Sequence, residues 1–503
     1  MFFKLCVRAP RILMLPMPVT VGCAKPDNIR DFLRFQYFNM EYRPDSMTKL
    51  ERRASMGLAG IYGLRMLGLF IILPVFALYA AERLPGGENH ILIGIALGAY
   101  GLTQAVLQIP AGWMSDHYGR KPVIYAGLLL FAIGSLIAAS ADNIYWVIAG
   151  RAIQGAGAIN AAVMALTADL TREEVRTKAM AMIGITIGIT FSISLVLAPI
   201  LYQAIGVPGI FALTGVLALL AMLFVAFVIP NPAITRFHSG SGASSKRFGD
   251  VLRNKDLLRL DFGIFSLHAI LMSVFMQVPF VLKNNGLEIA QHWQVYLPVM
   301  LLALMLMVPP IIVAEKKAKM KTVFMGAIAL AALGQLLLML MQNSIWGLMM
   351  SLLLFFTAFN VLEATLPSMI SKIAPLAAKG TAMGIYSSVQ FLGAFFGAIA
   401  GGFLMQYFGG NAVFVFAVGL LLLWFLVAST MQPPATVRTK MYPLPKMNGP
   451  AGAVLQQRLA QLNGVREVMV VPAECMACLK VDMSGFDEVA VENLLKGELH
   501  VGK

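Results

Sequence analysis

Apolar runs of about twenty residues or more recur twelve times along this chain, separated by short charged or turn-rich breaks. A bilayer core of about 30 Å takes about 20 helical residues to cross. Inside lipid each backbone N–H and C=O must be satisfied within its own segment, so runs of this length are read as helices. They cover 57–80, 91–113, 122–141, 144–168, 178–202 and 208–230, then 260–282, 292–314, 322–342, 344–370, 381–407 and 409–431. One such run is open to reading as a signal peptide or a buried core helix; a dozen is not. Charged residues make up 13% of the 503 and apolar residues 58%, far from the roughly 25% charged content of a soluble domain.

Loop charges set an orientation. With the N-terminus placed in the cytoplasm, the five inner loops hold seventeen Lys and Arg, from Arg120 and Lys121 to Lys372 and Lys379, against two, Arg83 and Lys283, in the outer loops. This asymmetry predicts both termini in the cytoplasm. It also accounts for the net charge of +14. Nucleic acid is not expected as a partner, because no basic, aromatic-interleaved module is present.

The polar stretch 231–259 divides the chain into halves of six spans, 47–230 and 260–431. Its front, His238 to Lys246, is rich in Gly and Ser; its rear, Phe248 to Leu260, sets Val251, Leu252, Leu257 and Leu258 among Arg253, Lys255 and Arg259. That pattern predicts a short helix lying at the membrane surface. The halves resemble each other. Thr177-Lys-Ala-Met-Ala-Met aligns with Gly380-Thr-Ala-Met-Gly-Ile, and Asp116, Arg120 and Gly127 align with Glu315, Lys319 and Gly326.

Residues 432–503 have soluble composition. A strand at 436–442, a helix at 452–463, strands at 466–471 and 475–482 and a helix at 486–496 give a βαββα order, expected to form a small ferredoxin-like domain. Cys475 and Cys478 sit three apart in the third strand and point to opposite faces, so a shared metal is not expected; the other cysteines, Cys6 and Cys23, lie in the N-terminal extension 1–46. A lipoprotein anchor at Cys23 would put the following segment outside, against the loop charges. The preferred reading is an extension ahead of a natural start at Met47. No P-loop sequence is present, so ATP-driven pumping and enzymatic activity have no support, and no cofactor is expected.

Between spans 2 and 3 lies Gly112-Trp-Met-Ser-Asp116-His-Tyr-Gly119-Arg120-Lys121. Gly112 allows close helix packing, Gly119 a tight turn, and Asp116 a contact with a helix N-terminus or a cation. A plain turn with cytoplasmic positive charges is the simpler reading. Span 4 carries Arg151-Ala-Ile-Gln154-Gly-Ala-Gly157. An arginine inside a span costs about 3 kcal/mol on insertion scales and must face the bundle interior or water, where it serves coupling or bonds backbone carbonyls. Further intramembrane polar residues are Arg65, Gln104 and Gln108, Asp261 and His268 seven apart, and Asn360 and Glu363 three apart on one face. Glu363 is the foremost proton-carrier candidate, since a carboxyl in a water-filled cavity exchanges a proton as its solvation changes. The competing reading is a fixed ion pair with Arg65 across the cavity. A lone buried His such as His268 is most simply a hydrogen-bonded group.

The Gly112–Lys121 stretch resembles the G-x-x-x-D-R-x-G-R-K signature of the major facilitator superfamily, with His117 in place of a basic residue, and Arg151–Gly157 is similar to that superfamily's R-x-x-Q-G-x-G. The glycines of the span-5 antiporter motif are absent; only Pro199 remains. With the appended domain, Leu64-Arg-Met-Leu-Gly68, Gly101-Leu-Thr-Gln-Ala-Val and Asp169-Leu-Thr-Arg are similar to the YajR-type bacterial inner-membrane transporters. The resemblance implies an all-α membrane fold of twelve helices in two bundles and a monomeric, proton-driven exporter of a small molecule in the inner membrane. It further implies a site between the halves, inner-face gating by Asp116, Arg120 and Asp169, and a regulatory C-terminal domain. A transporter-shaped sensor is the alternative expectation.

Overall fold

The computed structural model describes residues 47–230, 245–316, 319–432, 437–444, 449–472, 476–482 and 485–501. The extension 1–46 with Cys6 and Cys23, the Gly/Ser-rich front of the linker as far as Ser244, and Cys475 lie outside them. Long apolar helices dominate. Span 1 is Lys49–Phe70 and Leu73–Arg83, bent just ahead of Pro74; span 2 is His90–Tyr118 and span 3 Arg120–Ala139. Span 4, expected as one run, breaks at 157–159 into Ile144–Ala156 and Asn160–Asp169.

Glu173–Phe227 is one 55-residue helical stretch interrupted at Gly206, whose φ of 66° lies in the left-handed region. Straight, it would run about 80 Å, far beyond a bilayer. Its neighbours show that it doubles back. Tyr202 packs on Tyr79 with ring centroids 6.3 Å apart, near the end of span 1, whereas Phe224 lies beside Gly57, near its start. Spans 5 and 6 are thus a hairpin turned at Gly206. The second half follows as span 7, Lys255–Asn284; span 8, Trp293–Lys316; span 9, Met320–Met341; span 10, Ile345–Ile373; span 11, Lys379–Phe408; and span 12, Asn411–Ser429.

The linker helix differs from expectation. It runs Ser245–Arg253 and stops, because the Asn254 side chain accepts from the backbone N–H of Asp256 and Leu257 and caps a new helix. Leu257 and Leu258 therefore begin span 7 rather than continue a surface helix. Asparagine is among the strongest N-caps, and here it decides where one helix yields to the next.

The repeat extends to single side chains. Lys121 Nζ donates to the Ile229 carbonyl at 2.6 Å, and Lys321 Nζ to the Ser429 carbonyl at 2.8 Å; each acceptor lies 108 residues beyond its lysine, at the end of the sixth span of its half. Gly86 and Gly286, at φ of 89° and 84°, turn the chain after spans 1 and 7, and Gly409 at 81° repeats the role of Gly206.

The face that carries the Gly112–Lys121 loop is called the motif face below, and the opposite one the far face. Toward the far face the halves are closed. Gly94, Gly98 and Gly101 of span 2 lie against the backbone of Ala398, Phe395 and Phe391 of span 11, so closely that a Cβ at Gly98 would be 3.0 Å from the Phe395 carbonyl oxygen. Lys283 pairs with Glu82, and the His90 N–H donates to Gln406 Oε1 at 2.8 Å, both between halves. Toward the motif face, Gly184 and Gly188 of span 5 and Gly380 and Gly384 of span 11 have open space where a Cβ would stand.

The C-terminal segment is a separate compact unit. Strands β1 (Val437–Pro443), β2 (Val465–Val471) and β3 (Met476–Asp482) form one sheet in the order β1-β3-β2, with helices Gly449–Ala460 and Glu488–Val501 completing the βαββα order. Central β3 buries Ala477, Cys478, Leu479 and Val481, so both its faces are covered. Cys478 is buried, and among the described residues no three His, Cys, Asp or Glu gather as a metal site.

Candidate functional site

Each half places a polar cluster deep among its helices, and the two differ in sign. In the first half Arg65, 1% exposed, donates to Asn160 Oδ1 and Gln104 Oε1, and Gln104 Nε2 donates in turn to Gln108 Oε1 at 3.0 Å. Arg151 donates to the Ala96 and Leu97 carbonyls, each at 3.4 Å, and to Gln154 Oε1 at 3.1 Å; Gln154 Nε2 continues to Ser135 Oγ at 2.7 Å. Both guanidinium groups lie over the Tyr100 ring, Arg65 at 5.6 Å from its centroid and Arg151 at 5.0 Å. Arg65 is therefore not the ion-pair partner of Glu363. Amide oxygens of its own half occupy its fork, because the span 4 break brings Asn160 to it.

In the second half Gln390 of span 11 joins Glu363 of span 10 to His268 of span 7. Its Nε2 lies 2.8 Å from His268 Nε2 and donates to Glu363 Oε1 at 3.4 Å. His268 Nδ1 faces the Ile264 carbonyl at 3.3 Å, a contact that a proton on Nδ1 satisfies. His268 Nε2 and Glu363 Oε2 are 4.0 Å apart. The Glu363 side chain keeps 26% of its surface open in mid-bundle, so part of it faces a cavity, while its Oε2 is buried with no hydrogen-bond partner. Ten residues separate it from the motif-face end of its helix, about 15 Å. On its far side an aromatic layer crosses both halves. Phe191 of span 5 packs on Phe70 at 5.0 Å, Phe359 at 5.3 Å and Phe356 at 6.0 Å.

Asn360 is buried beside this cluster with Nδ2 unsatisfied, and Asp261 is buried two turns below His268 with Oδ1 unsatisfied; neither joins the Gln390 bridge. Sequence reading missed Gln390 and Tyr100. An amide in mid-span was a usable signal for the first; nothing marked Tyr100 among so many aromatic residues.

At the motif face Gly119, at φ 94°, ends span 2 and begins span 3. Buried Arg120 pairs with Asp116, reaches Asp169 Oδ2 at 3.1 Å and donates to Ser115 Oγ at 2.8 Å. Gly112 lets span 4 approach, with Ala161 Cβ 3.3 Å from where its own Cβ would be. His117 stays outside, stacked on Trp113 at 4.2 Å. Sequence reading also missed Glu51, whose carboxylate takes the Arg172 N–H at 3.0 Å and Nε at 2.8 Å and ties the start of span 1 to the loop after span 4.

Two six-helix bundles around a cavity closed on one face are the architecture of a membrane transporter that alternates access. The sequence profile of the Major Facilitator Superfamily matches residues 58–316 and 313–455, and the chain belongs to that superfamily, a family of transporters rather than enzymes. It is 45% identical over 450 residues to the inner membrane transport protein YajR of Escherichia coli K12, covering 90% of this chain and 98% of the relative. It is 26% identical to the multidrug resistance protein MdtH of Aeromonas hydrophila over 348 residues, 68% of this chain and 85% of the relative. A solved structure of a bacterial homologue of the human lysosomal transporter Spinster, inward-facing and occupied, superposes with a TM-score of 0.60 at 13% identity over 76% of this chain and 98% of that one; this last likeness concerns the fold alone.

Proposed function

We propose that this protein exports a small solute across the bacterial inner membrane by alternating access, driven by protons that Glu363 carries. The observation that carries the reading is Glu363, a mid-bundle carboxyl whose side chain is partly open, whose Oε1 is held by Gln390 beside His268 and whose Oε2 is buried without a partner. A carboxylate there accepts either a proton or a cationic group of a solute, and the two compete. A protonated Glu363 is uncharged and tolerates the dry, occluded passage between facing states. An ionised one needs the solute's charge to do the same. Exchange follows: a proton enters from outside as the solute leaves.

The loop charges support a cytoplasmic motif face, so the cavity opens to the cytoplasm with both termini on that side. Residues 47–230 and 260–431 are the rocking bodies, 231–259 the linker and 432–503 a regulatory domain. Arg120, Asp116 and Asp169 form the inner-face latch. The name of the YajR relative supports transport in the inner membrane, and removal of a compound from the cell is consistent with the multidrug resistance in the name of MdtH. One chain bounds the whole cavity, which supports a monomer as the working unit.

The test is reconstitution with a pH-sensitive dye inside the vesicles and a screen of cationic and amphipathic solutes. Solute-dependent proton movement is expected, and Glu363→Gln should abolish it together with the transport of cationic solutes. No proton movement with any solute that an active preparation transports would defeat the reading.

A further inference from the structure

Tyr100 has an unusual setting. Two buried guanidinium groups lie over its ring, and among the described residues neither Arg65 nor Arg151 makes an ion pair. An arginine without a carboxylate in a dry site leans on carbonyl oxygens and on the negative face of an aromatic ring, an attraction that grows on desolvation. The Tyr100 hydroxyl is buried with no hydrogen-bond partner, so the ring is what serves the arginines. Its edges meet Phe131 at 6.5 Å in its own half and Phe391 at 6.3 Å in the other. Next to it, a Cβ on Gly101 would stand 2.7 Å from the Phe391 carbonyl oxygen, so the two backbones are in contact there.

Phe391 follows Gln390 in the chain. Adjacent residues of a helix point about 100° apart, and these two reach opposite halves: Gln390 to Glu363 and His268, Phe391 to Tyr100. A helix turns as a rigid rod, so a rotation of span 11 that answers the charge on Glu363 also moves the edge of Phe391 against Tyr100. We infer that Tyr100 is a positioning residue that couples the protonation of Glu363 to the arginine pair of the first half, and so to the balance between the two facing states. The inference rests on Glu363 as proton carrier and adds the route by which the other half senses it. A Gln390 bond to a carboxylate is charge-assisted and weakens when the carboxyl is neutral, which releases span 11 from its closed-state position.

The experiment reads the facing state directly and needs no substrate. In full-length protein with the four native cysteines replaced by Ser, spin labels at Glu88→Cys and Tyr407→Cys report the far-face distance between halves. Glu363→Gln, which imitates the protonated state, should shift the ratio of far-face-open to far-face-closed protein by about tenfold. The same shift is expected with Tyr100→Phe, which keeps the ring. It should fall below about twofold with Tyr100→Leu and with Phe391→Leu, which leaves the arginines and Tyr100 in place and covers the case of a Tyr100→Leu protein that does not fold. An unchanged shift in the Leu variants would overturn the inference, and so would its loss in Tyr100→Phe, which would point to the hydroxyl. No shift on Glu363→Gln in the parent would instead remove the proton-carrier reading, and the coupling with it.

Discussion

The two halves share a scaffold down to matching lysines and turn glycines, yet they bury opposite charges. Lys121 and Lys321 close equivalent helix ends, and Gly206 and Gly409 turn equivalent hairpins. At mid-depth the first half holds Arg65 and Arg151 among amides and carbonyls, while the second holds Glu363 beside the His268 imidazole. A repeat maintained by packing and capping leaves its interior side chains free to diverge, because what the scaffold requires is shape and satisfied backbone, not a given charge. The lesson is that symmetry marks the framework and broken symmetry marks the site.

The largest effect that would test this contrast lies at the motif loops. Arg120 is buried against Asp116 and the buried Asp169 side chain, whereas Lys319, on the corresponding loop of the second half, is exposed. Arg120→Ala should lower stability by about 3–5 kcal/mol, since it removes the buried guanidinium that Asp116, Asp169 and Ser115 share; Lys319→Ala should change it by less than about 0.5 kcal/mol. Denaturant unfolding in detergent reads both, and comparable losses would erase the asymmetry. A middle-sized effect is expected at the seam between halves. Gly94 faces the Ala398 carbonyl with no room for a side chain, so Gly94→Val should penalise the closed far face by about 1–3 kcal/mol and raise labelling of far-face cysteines. The smallest effect concerns the shared framework. Lys121→Met removes one bond to a helix-end carbonyl and Lys321→Met two, and each should cost about 1 kcal/mol. A loss at one and none at the other would show that the framework, too, has diverged.

Much of the architecture was legible in the sequence. Span number and approximate limits follow from lipid thickness, and the βαββα order from strand and helix periodicity. Details that hang on one residue were less so: Asn254 ends the linker helix early, and the break at 157–159 that delivers Asn160 to Arg65 hides in a run that reads as continuous. Arg65, Arg151, His268 and Glu363 were all marked as candidates by their cost in lipid. Their partners were not. A pairing of Arg65 with Glu363 is natural from charge alone, yet packing gives Arg65 to Asn160 and Gln104, and Glu363 to Gln390.

By itself the sequence determined that the chain crosses a bilayer twelve times in two related sets of six, because hydropathy is a local property summed over one helix at a time. Only the tertiary structure decided that the far face is shut, that Gln390 holds Glu363 and that two arginines meet the Tyr100 ring. Those facts depend on contacts between residues 27 to more than 300 positions apart, and a side chain's partner is set by which helices pack together, not by its neighbours in the chain.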